Sequence, residues 1–307
     1  MKATIGIATY NGVQRVKKLL SSIYNYTENK DLQDVRIVVI DDGTPYKKET
    51  EKLEVVCDHF QAMLLKHGYN KGISASWNTL SRCFDDVDLI VLFNDDVQIC
   101  HSAWLQCIKY FLRENEKIGH VSLPTFNIDP QTALPRFEQA IPDITINPYL
   151  SWTPNGQGFA FKKVVYDEIK GGFWEELTSF YEETDFGYEL AHKGYMSYVL
   201  PFPVIQHWGS QTFALNSELT YTTPDASLPL EKYRELLKSK FSDVKIEPYP
   251  GKVYRMEFSR VKFALKWGCK DIWDQPQNEI EARLSDRRKQ RLIKWLDKDG
   301  LEKEMMI

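Results

Sequence analysis

The sequence predicts an α/β fold in which a mainly parallel sheet is flanked by helices, followed by a mostly helical C-terminal extension. Strand-like and helix-like segments alternate through the first hundred residues, which is typical of parallel strands joined by helical crossovers. The run from Leu89 to Phe93 is apolar throughout, as expected for a parallel strand buried on both faces. Three of the predicted strands end in polar clusters, and such ends share one edge of a parallel sheet.

The order of elements follows from the spacing of apolar residues. Apolar positions in 16–26 fall on one helical face, whereas 35–40 is a compact β-branched run that ends at an Asp-Asp-Gly turn. By the same criteria we predict strands at 3–9, 35–40, 62–66, 89–93, 121–123, 159–161 and 196–200. We predict helices at 16–26, 47–60, 104–114, 231–241, 254–267 and 279–303. Two more helices are predicted, one that follows the loop from Asn70 and ends near Phe84, and one that follows the acidic stretch and ends near Ala191.

Composition excludes several classes of protein. The 307 residues are 43% hydrophobic and 27% charged, as in an ordinary globular protein, and the net charge of −4 gives no global basic field for nucleic acid or membranes. The five cysteines contain no CxxC pair, which favours free thiols in a reducing compartment. No signal-peptide core opens the sequence, and no apolar run approaches the roughly 20 residues of a membrane span. We therefore expect a cytoplasmic protein without an integral membrane segment.

Polar side chains follow three of the predicted strands and define the first candidate site. They form the clusters Thr9-Tyr10-Asn11, Asp41-Asp42 and Asn94-Asp95-Asp96. Oxygen ligands at such an edge suit Mg²⁺ or Mn²⁺, and such an ion can neutralise a diphosphate. Each cluster alone is also compatible with an ordinary turn or helix cap, but their coincidence on one edge favours a binding site.

Three later stretches add candidate residues. Asn155-Gly156-Gln157-Gly158 places two glycines before an apolar strand, as if the backbone must approach a ligand closely. The acidic stretch Glu182-Glu183-Thr184-Asp185 opens a predicted helix, where carboxylates are also stabilised by the helix dipole. His207 lies near the end of the first domain, where it is either a ligand or a structural histidine.

Together these motifs resemble a family 2 glycosyltransferase of the GT-A fold over residues 3–210, with the family's elements in the family's order. The matching stretches are Ala8 to Asn11, Asp41 to Thr44, Asn70 to Gly72 with Asn78, Asn94 to Asp96, Glu182 to Phe186, and His207 to Ser210. Lys266-Trp267-Gly268 is also similar to a short element of some bacterial members, a match of low specificity.

The resemblance implies an inverting transfer of a sugar from a nucleoside-diphosphate sugar, with UDP favoured, to an acceptor hydroxyl. The acceptor stays open among glycan, lipid-linked sugar, protein and modified nucleic acid. Mn²⁺ or Mg²⁺ is the implied cofactor, held by Asp96 and His207. The implied nucleotide-binding residues are Thr9, Tyr10, Asn11, Asp41, Asp42, Asn70, Gly72, Asn78, Asn94 and Asp95. Trp152, Asn155, Gly156 and Gly158 are expected to position the sugar or acceptor.

Two departures from the family pattern affect these expectations. The acidic box begins Glu182-Glu183 where the family usually has Glu-Asp, so the base is open among Glu182, Glu183 and Asp185, with Glu183 preferred. The metal element begins with Asn94, so Asp96 is the expected metal carboxylate.

The alternative functions are a degenerate scaffold that only binds nucleotide or glycan, and a sugar nucleotidyltransferase. We predict a GT-A domain at 1–215 and a helical extension at 216–307; the oligomeric state stays open.

Overall fold

The computed structural model describes residues 1–114, 116–128, 135–136, 149–151, 156–177, 180–200 and 204–207, together with Ser259, Phe263 and Lys266. The last three are helical, and the rest of the predicted helical extension lies outside the described residues. Trp152 and Asn155 also lie outside them.

Twelve strands are present in the described residues. They are β1 (Ala3–Thr9), β2 (Val35–Asp41), β3 (Met63–Lys66), β4 (Leu89–Asn94), β5 (Val97–Ile99), β6 (Ile118–Ser122), β7 (Thr125–Ile128), β8 (Pro135–Arg136), β9 (Tyr149–Ser151), β10 (Gly158–Lys162), β11 (Met196–Val199) and β12 (Ile205–His207).

Seven helices have assigned bounds in the described residues up to 207. They are α1 (Val13–Asn25), α2 (Asn29–Leu32), α3 (Lys47–His59), α4 (Ile73–Ser81), α5 (Trp104–Glu114), α6 (Lys163–Glu168) and α7 (Glu182–Lys193). No helix among the described residues is both long and apolar enough to cross a membrane.

The strands form a large sheet and a small one. The large sheet has the order β3-β2-β1-β4-β10-β6-β11-β9, and β3, β2, β1 and β4 are mutually parallel, as predicted. Strand β10 is inserted antiparallel between β4 and β6, a feature that the apolar pattern did not indicate. The small sheet has the order β5-β12-β7-β8.

Successive side chains of the central strands face opposite sides of the large sheet, because strand side chains alternate. Val91 and Phe93 belong to one buried cluster with residues of α1, α3 and α5. Ile90 and Leu92 belong to the other, with residues of α4, α6 and α7. Helices thus cover both faces, which leaves the strand ends and their loops as the place for a site.

Candidate functional site

A buried ion pair that the sequence did not indicate joins α1 to the polar end of β4. Arg15 of α1 donates from Nε to Asp95 Oδ1 over 2.9 Å and from Nη2 to Asp95 Oδ2 over 3.0 Å. The hydroxyl of Thr9 also donates to Asp95, whose side chain is only 3% exposed. Arg15 further donates to the carbonyl of Tyr10. The carboxylate of Asp95, predicted to bind nucleotide, therefore makes its bonds within the protein.

Gly12 makes room for this cluster. A Cβ atom built on Gly12 would lie 1.9 Å from Asp95 Oδ2 and 2.4 Å from the Thr9 hydroxyl oxygen. Its φ of −126° is open to any residue, so the requirement for glycine here is one of space rather than backbone conformation.

At the end of β2, Asp42 organises the loop that leads into α4. Its carboxylate accepts hydrogen bonds from the backbone N–H groups of Lys71 and Gly72, each over 2.9 Å, and lies 2.7 Å from His67 Nδ1. Gly72 has a φ of 91°, which glycine adopts without strain. Asp42 thus connects two of the predicted nucleotide elements, the Asp41-Asp42 turn and the Asn70 to Gly72 loop.

Asp41 connects the same turn to the loop after β1. Its Oδ1 accepts hydrogen bonds from the backbone N–H and the hydroxyl of Thr44, over 3.1 and 2.5 Å. The Thr44 hydroxyl oxygen in turn accepts from the backbone N–H of Asn11 over 2.8 Å. Asn11 has a left-handed φ of 50°, so this network fixes the loop in an uncommon conformation.

The two asparagines of the predicted N-x-G-x-x-x-x-x-N segment have different surroundings. Asn70 keeps a buried side-chain oxygen that finds no hydrogen-bond partner in the described part of the chain. Asn78 is 1% exposed, and its amide bonds to Tyr166, Glu175 and both backbone groups of Phe173. Because these four bonds use the full capacity of an amide, a nucleotide contact through Asn78 would require one of them to break.

The two predicted metal ligands lie next to each other. Strands β5 and β12 pair so that His207 is opposite Val97, the residue after Asp96. His207 Nε2 is therefore 3.4 Å from Asp96 Oδ2, and the two residues are 7% and 6% exposed. Nearby in sequence, the side-chain oxygen of Asn94 is buried without a hydrogen-bond partner among the residues described.

The acidic stretch begins α7 through an uncommon backbone. Phe180 and Tyr181 have left-handed φ values of 67° and 68°, each of which costs a non-glycine residue about 1–3 kcal/mol. The backbone N–H of Asp185 donates to the carbonyl of Tyr181 over 2.7 Å. The backbone conformation of Phe180 and Tyr181 thus sets the direction of the side chains of Glu182 and Glu183 in the first turn of α7.

Burial raises the pKa of both glutamates. The pKa of Glu182, which is 7% exposed, is held well above its usual value by burial and by the neighbouring Glu183. Glu183 keeps partial contact with solvent, and burial raises its pKa to about 7. A carboxylate with a pKa near the working pH is suited to general-base catalysis.

A short loop connects Glu183 to the end of β4. Gly156 lies against Glu183, because a Cβ atom built on it would be 3.0 Å from both Cδ and Oε1 of Glu183. The next residue, Gln157, accepts a hydrogen bond at its carbonyl from the backbone N–H of Asn94 over 3.2 Å. Gly156 and Gln157 are adjacent, with Cα atoms about 3.8 Å apart. Glu183 and the Asn94 end of β4 therefore contact neighbouring residues of one loop.

Gly158 faces away from this arrangement. It pairs with Phe93 in the sheet, and a Cβ atom built on it would lie 2.9 Å from Phe93 and from Ile205. Its small size allows close packing between β10, β4 and β12.

Asp185 forms an ion pair with Lys266 of the C-terminal segment. The side chain of Asp185 is 1% exposed and accepts hydrogen bonds from Lys266 Nζ over 2.7 and 2.8 Å. Glu183 thus differs from Asp185 in being partly exposed and packed against a glycine, whereas Asp185 is part of a buried ion pair.

The donor set at Asp96 fits a hard divalent cation completed by a ligand. No group of three or more His, Cys, Asp or Glu side chains suited to a metal occurs among the described residues. Magnesium sites commonly use one or two protein carboxylates together with substrate phosphates, so Asp96 and His207 suit a site that a phosphate-bearing ligand completes.

Two residues important for this geometry were not recognised in the sequence, and the role of a third was not foreseen. Arg15 and His67 bind the carboxylates of Asp95 and Asp42, and Lys266 carried only a low-specificity match. Arg15 follows the polar end of β1 by a few residues, which was the available signal. Nothing local relates Lys266 to Asp185, 81 residues earlier.

Comparison with known proteins identifies one family and several similar structures. The sequence profile of glycosyl transferase family 2 matches residues 4–162. A search of curated proteins finds no match to this sequence.

The similar structures share 14% identity with this chain, a level at which the likeness shows the fold. Mannosyltransferase PcManGT from Pyrobaculum calidifontis, in complex with GDP-Man and Mn²⁺, has a TM-score of 0.54 over 87% of this chain and 71% of its own. GalNAc-T7 with UDP, GalNAc and Mn²⁺ has a TM-score of 0.58 over 87% and 55%, respectively. S. aureus TarS 1-349 has a TM-score of 0.55 over 94% and 82%.

Proposed function

Because the chain belongs to glycosyl transferase family 2 and has the GT-A fold, we propose that it transfers a sugar from a nucleoside-diphosphate sugar to an acceptor hydroxyl with inversion. Family membership makes the chain a glycosyltransferase that uses a nucleotide sugar. The proposal adds the metal, the base, the preference for UDP and the stereochemistry.

The proposed metal residues are Asp96 and His207, together with Mn²⁺ or Mg²⁺. Their separation of 3.4 Å and the buried oxygen of Asn94 support a site that a donor diphosphate completes. The structures of PcManGT and GalNAc-T7 were solved with Mn²⁺ and a nucleotide or nucleotide sugar, which supports the same class of donor here. Such a cation would act as a Lewis acid on the leaving diphosphate.

The proposed base is Glu183, and its placement is the observation that carries the proposal. Its pKa is raised to about 7 by burial, so the carboxylate is ionised at mildly alkaline pH and can accept the proton of an acceptor hydroxyl. Glu183 packs against Gly156, and the next residue, Gln157, accepts a hydrogen bond from the Asn94 end of β4. Glu182, with its more strongly raised pKa, and Asp185, bound to Lys266, are weaker candidates.

The nucleotide is proposed to bind along the edge formed by the loops after β1 and β2 and before α4. The loops around Asn11, Asp41 and Asn70 are held in place by the Thr44 and Asp42 networks, and Asn70 offers a buried amide oxygen. Thr9, Asp42, Asn78 and Asp95 support these loops through bonds inside the protein. A pyrimidine nucleotide such as UDP stays the favoured donor.

The acceptor side is proposed to include Gly156 and, outside the described residues, Trp152 and Asn155. The acceptor remains a hydroxyl on a glycan, lipid-linked sugar, protein or modified nucleic acid. A cytoplasmic location is likewise proposed from the sequence.

The experiment that tests this function measures release of nucleoside diphosphate from a panel of UDP-, GDP- and dTDP-sugars with Mn²⁺. The Glu183→Gln variant removes the base and is expected to lower turnover about 10²–10⁴-fold. Glu51→Gln, an exposed carboxylate of α3, is the matched control and should keep wild-type turnover.

Asp96→Ala tests the metal residue, with Asp58→Ala on the exposed surface of α3 as its control. Turnover in Asp96→Ala should fall by orders of magnitude and depend no further on Mn²⁺. Wild-type turnover in both Glu183→Gln and Asp96→Ala would disprove the mechanism. Binding of a nucleotide sugar without turnover in the wild-type chain would instead favour a scaffold that only binds.

A further inference from the structure

The C-terminal segment contacts α7 at two places that flank the proposed base. Ser259, Phe263 and Lys266 are helical and spaced so that they lie on one helix face, and Ser259 and Phe263 are almost fully buried. The ring of Phe263 lies 5.5 Å from that of Tyr181 and 5.1 Å from that of Tyr188. The segment therefore packs on Tyr181, the strained residue immediately before α7.

One helical turn further along, Lys266 binds the acidic face of α7. Its ammonium donates to both carboxylate oxygens of Asp185 and lies 2.9 Å from Glu189 Oε1. It also lies over the face of Trp174, 5.0 Å from the ring centroid, an arrangement that favours a cation. The side chain of Lys266 is 27% exposed, whereas that of Asp185 is 1% exposed, so the carboxylate depends on this partner more than the lysine does.

The need for a cation follows from the charges on α7. Glu182, Glu183 and Asp185 fall within its first turn, and Glu189 is one turn after Asp185 on the same face. Like charges at this spacing are unfavourable, and a buried carboxylate without a partner destabilises the protein or takes up a proton. In the described part of the chain, Lys266 contacts two of these carboxylates, those of Asp185 and Glu189.

We propose that Lys266 is a positioning residue for sugar transfer, by which the C-terminal segment holds the first turn of α7 and thereby orients Glu183 toward the Gly156 loop. The proposal rests on the role of Glu183 as base. Lys266 acts through Asp185, and Phe263 acts through Tyr181, so the two contacts fix the strained entry and the first turn together. The C-terminal extension is then part of the catalytic unit.

A purely stabilising contact would lower the melting temperature without changing the chemistry of the folded enzyme. A positioning contact would lower kcat while leaving the KM for the donor nearly unchanged, because donor binding lies on the β1, β2 and β4 side. Misplacement of a catalytic group by about 1 Å costs up to about 100-fold in rate. Melting temperature and kcat, measured on the same variant, therefore distinguish a stabilising role from a positioning role.

The experiment compares Lys266→Met and Lys266→Arg in the full-length chain, with Lys193→Met as the matched control. Lys193 is an exposed lysine in the last turn of α7, the helix that Lys266 contacts. Turnover of the nucleotide sugar that the wild-type enzyme uses is measured between pH 5.5 and 9. Hydrogen exchange of the backbone amides of 180–186 is measured on the same proteins without substrate.

Lys266→Met should lower kcat about 10–100-fold and change the donor KM by less than about threefold. It should also move the acidic limb of the pH–rate profile upward, because loss of the Lys266 charge beside Asp185 leaves more negative charge near Glu183. Lys266→Arg should restore most of the rate, and Lys193→Met should match the wild-type enzyme. Exchange of 180–186 should be faster only in Lys266→Met.

A double variant keeps the test informative if Lys266→Met is poorly folded. Asp185→Asn with Lys266→Met removes both charges, so it should be more stable than Lys266→Met alone. It should also recover the wild-type pH profile.

Wild-type kcat and pH profile in folded Lys266→Met would overturn the proposal, as would a kcat loss that Lys266→Arg does not restore. If the wild-type chain turns over no nucleotide sugar, the proposed function fails. Hydrogen exchange then still reports whether Lys266 holds the first turn.

Discussion

The buried Arg15–Asp95 pair gives the most direct test of how this edge of the sheet is held together. In Arg15→Met the apolar part of the side chain is kept, but Asp95, 3% exposed, loses two charge-assisted hydrogen bonds and keeps one from Thr9. Breaking a buried pair in this way costs about 3–5 kcal/mol of unfolding free energy, because one charge stays buried without compensation.

The loss should depend on pH in a defined direction. Burial raises the pKa of Asp95, and Arg15 opposes that rise, so removing Arg15 raises the pKa further. When the pKa of a carboxyl group is higher in the folded than in the unfolded protein, the free energy of unfolding falls as the pH rises above the unfolded-state pKa. For Asp95 that unfolded-state pKa is 3.8. The difference between wild type and Arg15→Met should therefore grow as the pH rises above about 6, the pKa of Asp95 with Arg15 present, and stay constant at lower pH.

The assay is chemical denaturation of the full-length protein, with Lys17→Met as control. Lys17 is an exposed lysine on the same helix, and its replacement should change the unfolding free energy by less than about 0.5 kcal/mol. Equal effects of Arg15→Met and Lys17→Met, or a difference that does not depend on pH, would refute the reasoning. Asp95 would then be available to bind a ligand directly.

Three further predictions follow from the described contacts. Gly12→Ala should lower the unfolding free energy by about 1–3 kcal/mol in denaturation experiments, because its Cβ overlaps Asp95 and Thr9; no loss would show that the cluster can move. Glu183→Gln should gain stability relative to wild type as pH rises from about 4.5 to about 7, since only the wild-type side chain must ionise at a raised pKa; a constant difference would contradict the raised pKa. Asn78→Ala should cost on the order of 3 kcal/mol, because several buried partners lose their bonds; a loss of nucleotide affinity with unchanged stability would instead support direct contact.

The sequence predicted the parallel half of the fold because each of its strands is marked locally. The runs 35–40 and 89–93 are mostly apolar, and each stops at a polar turn, so the presence of the strands and their parallel direction follow from general rules. The antiparallel insertion of β10 was not predicted, because Phe159 to Phe161 is apolar in a way that either direction of pairing would satisfy.

The sequence indicated where several site residues lie relative to each other, but not which partners their side chains have. Asp96 and His207, which the family resemblance had paired as metal residues, lie 3.4 Å apart. The engagement of Asp95 by Arg15 and of Asp185 by Lys266 was not foreseen, because a carboxylate at a strand end or helix start looks the same in sequence whether it binds a ligand or an internal cation. Only tertiary structure shows which carboxylate already has its partner.

The most direct test of the proposed function is the melting temperature of the wild-type chain and of Asp96→Ala with UDP, GDP, dTDP and CDP, each with and without Mn²⁺. A nucleotide at 100 times its dissociation constant stabilises a protein by about 2.7 kcal/mol, which gives a measurable shift. We expect a shift with one nucleotide, UDP being favoured, that requires Mn²⁺ and is absent in Asp96→Ala. A shift of equal size in Asp96→Ala, or no shift with any nucleotide, would contradict a metal-dependent nucleotide site at the end of β4.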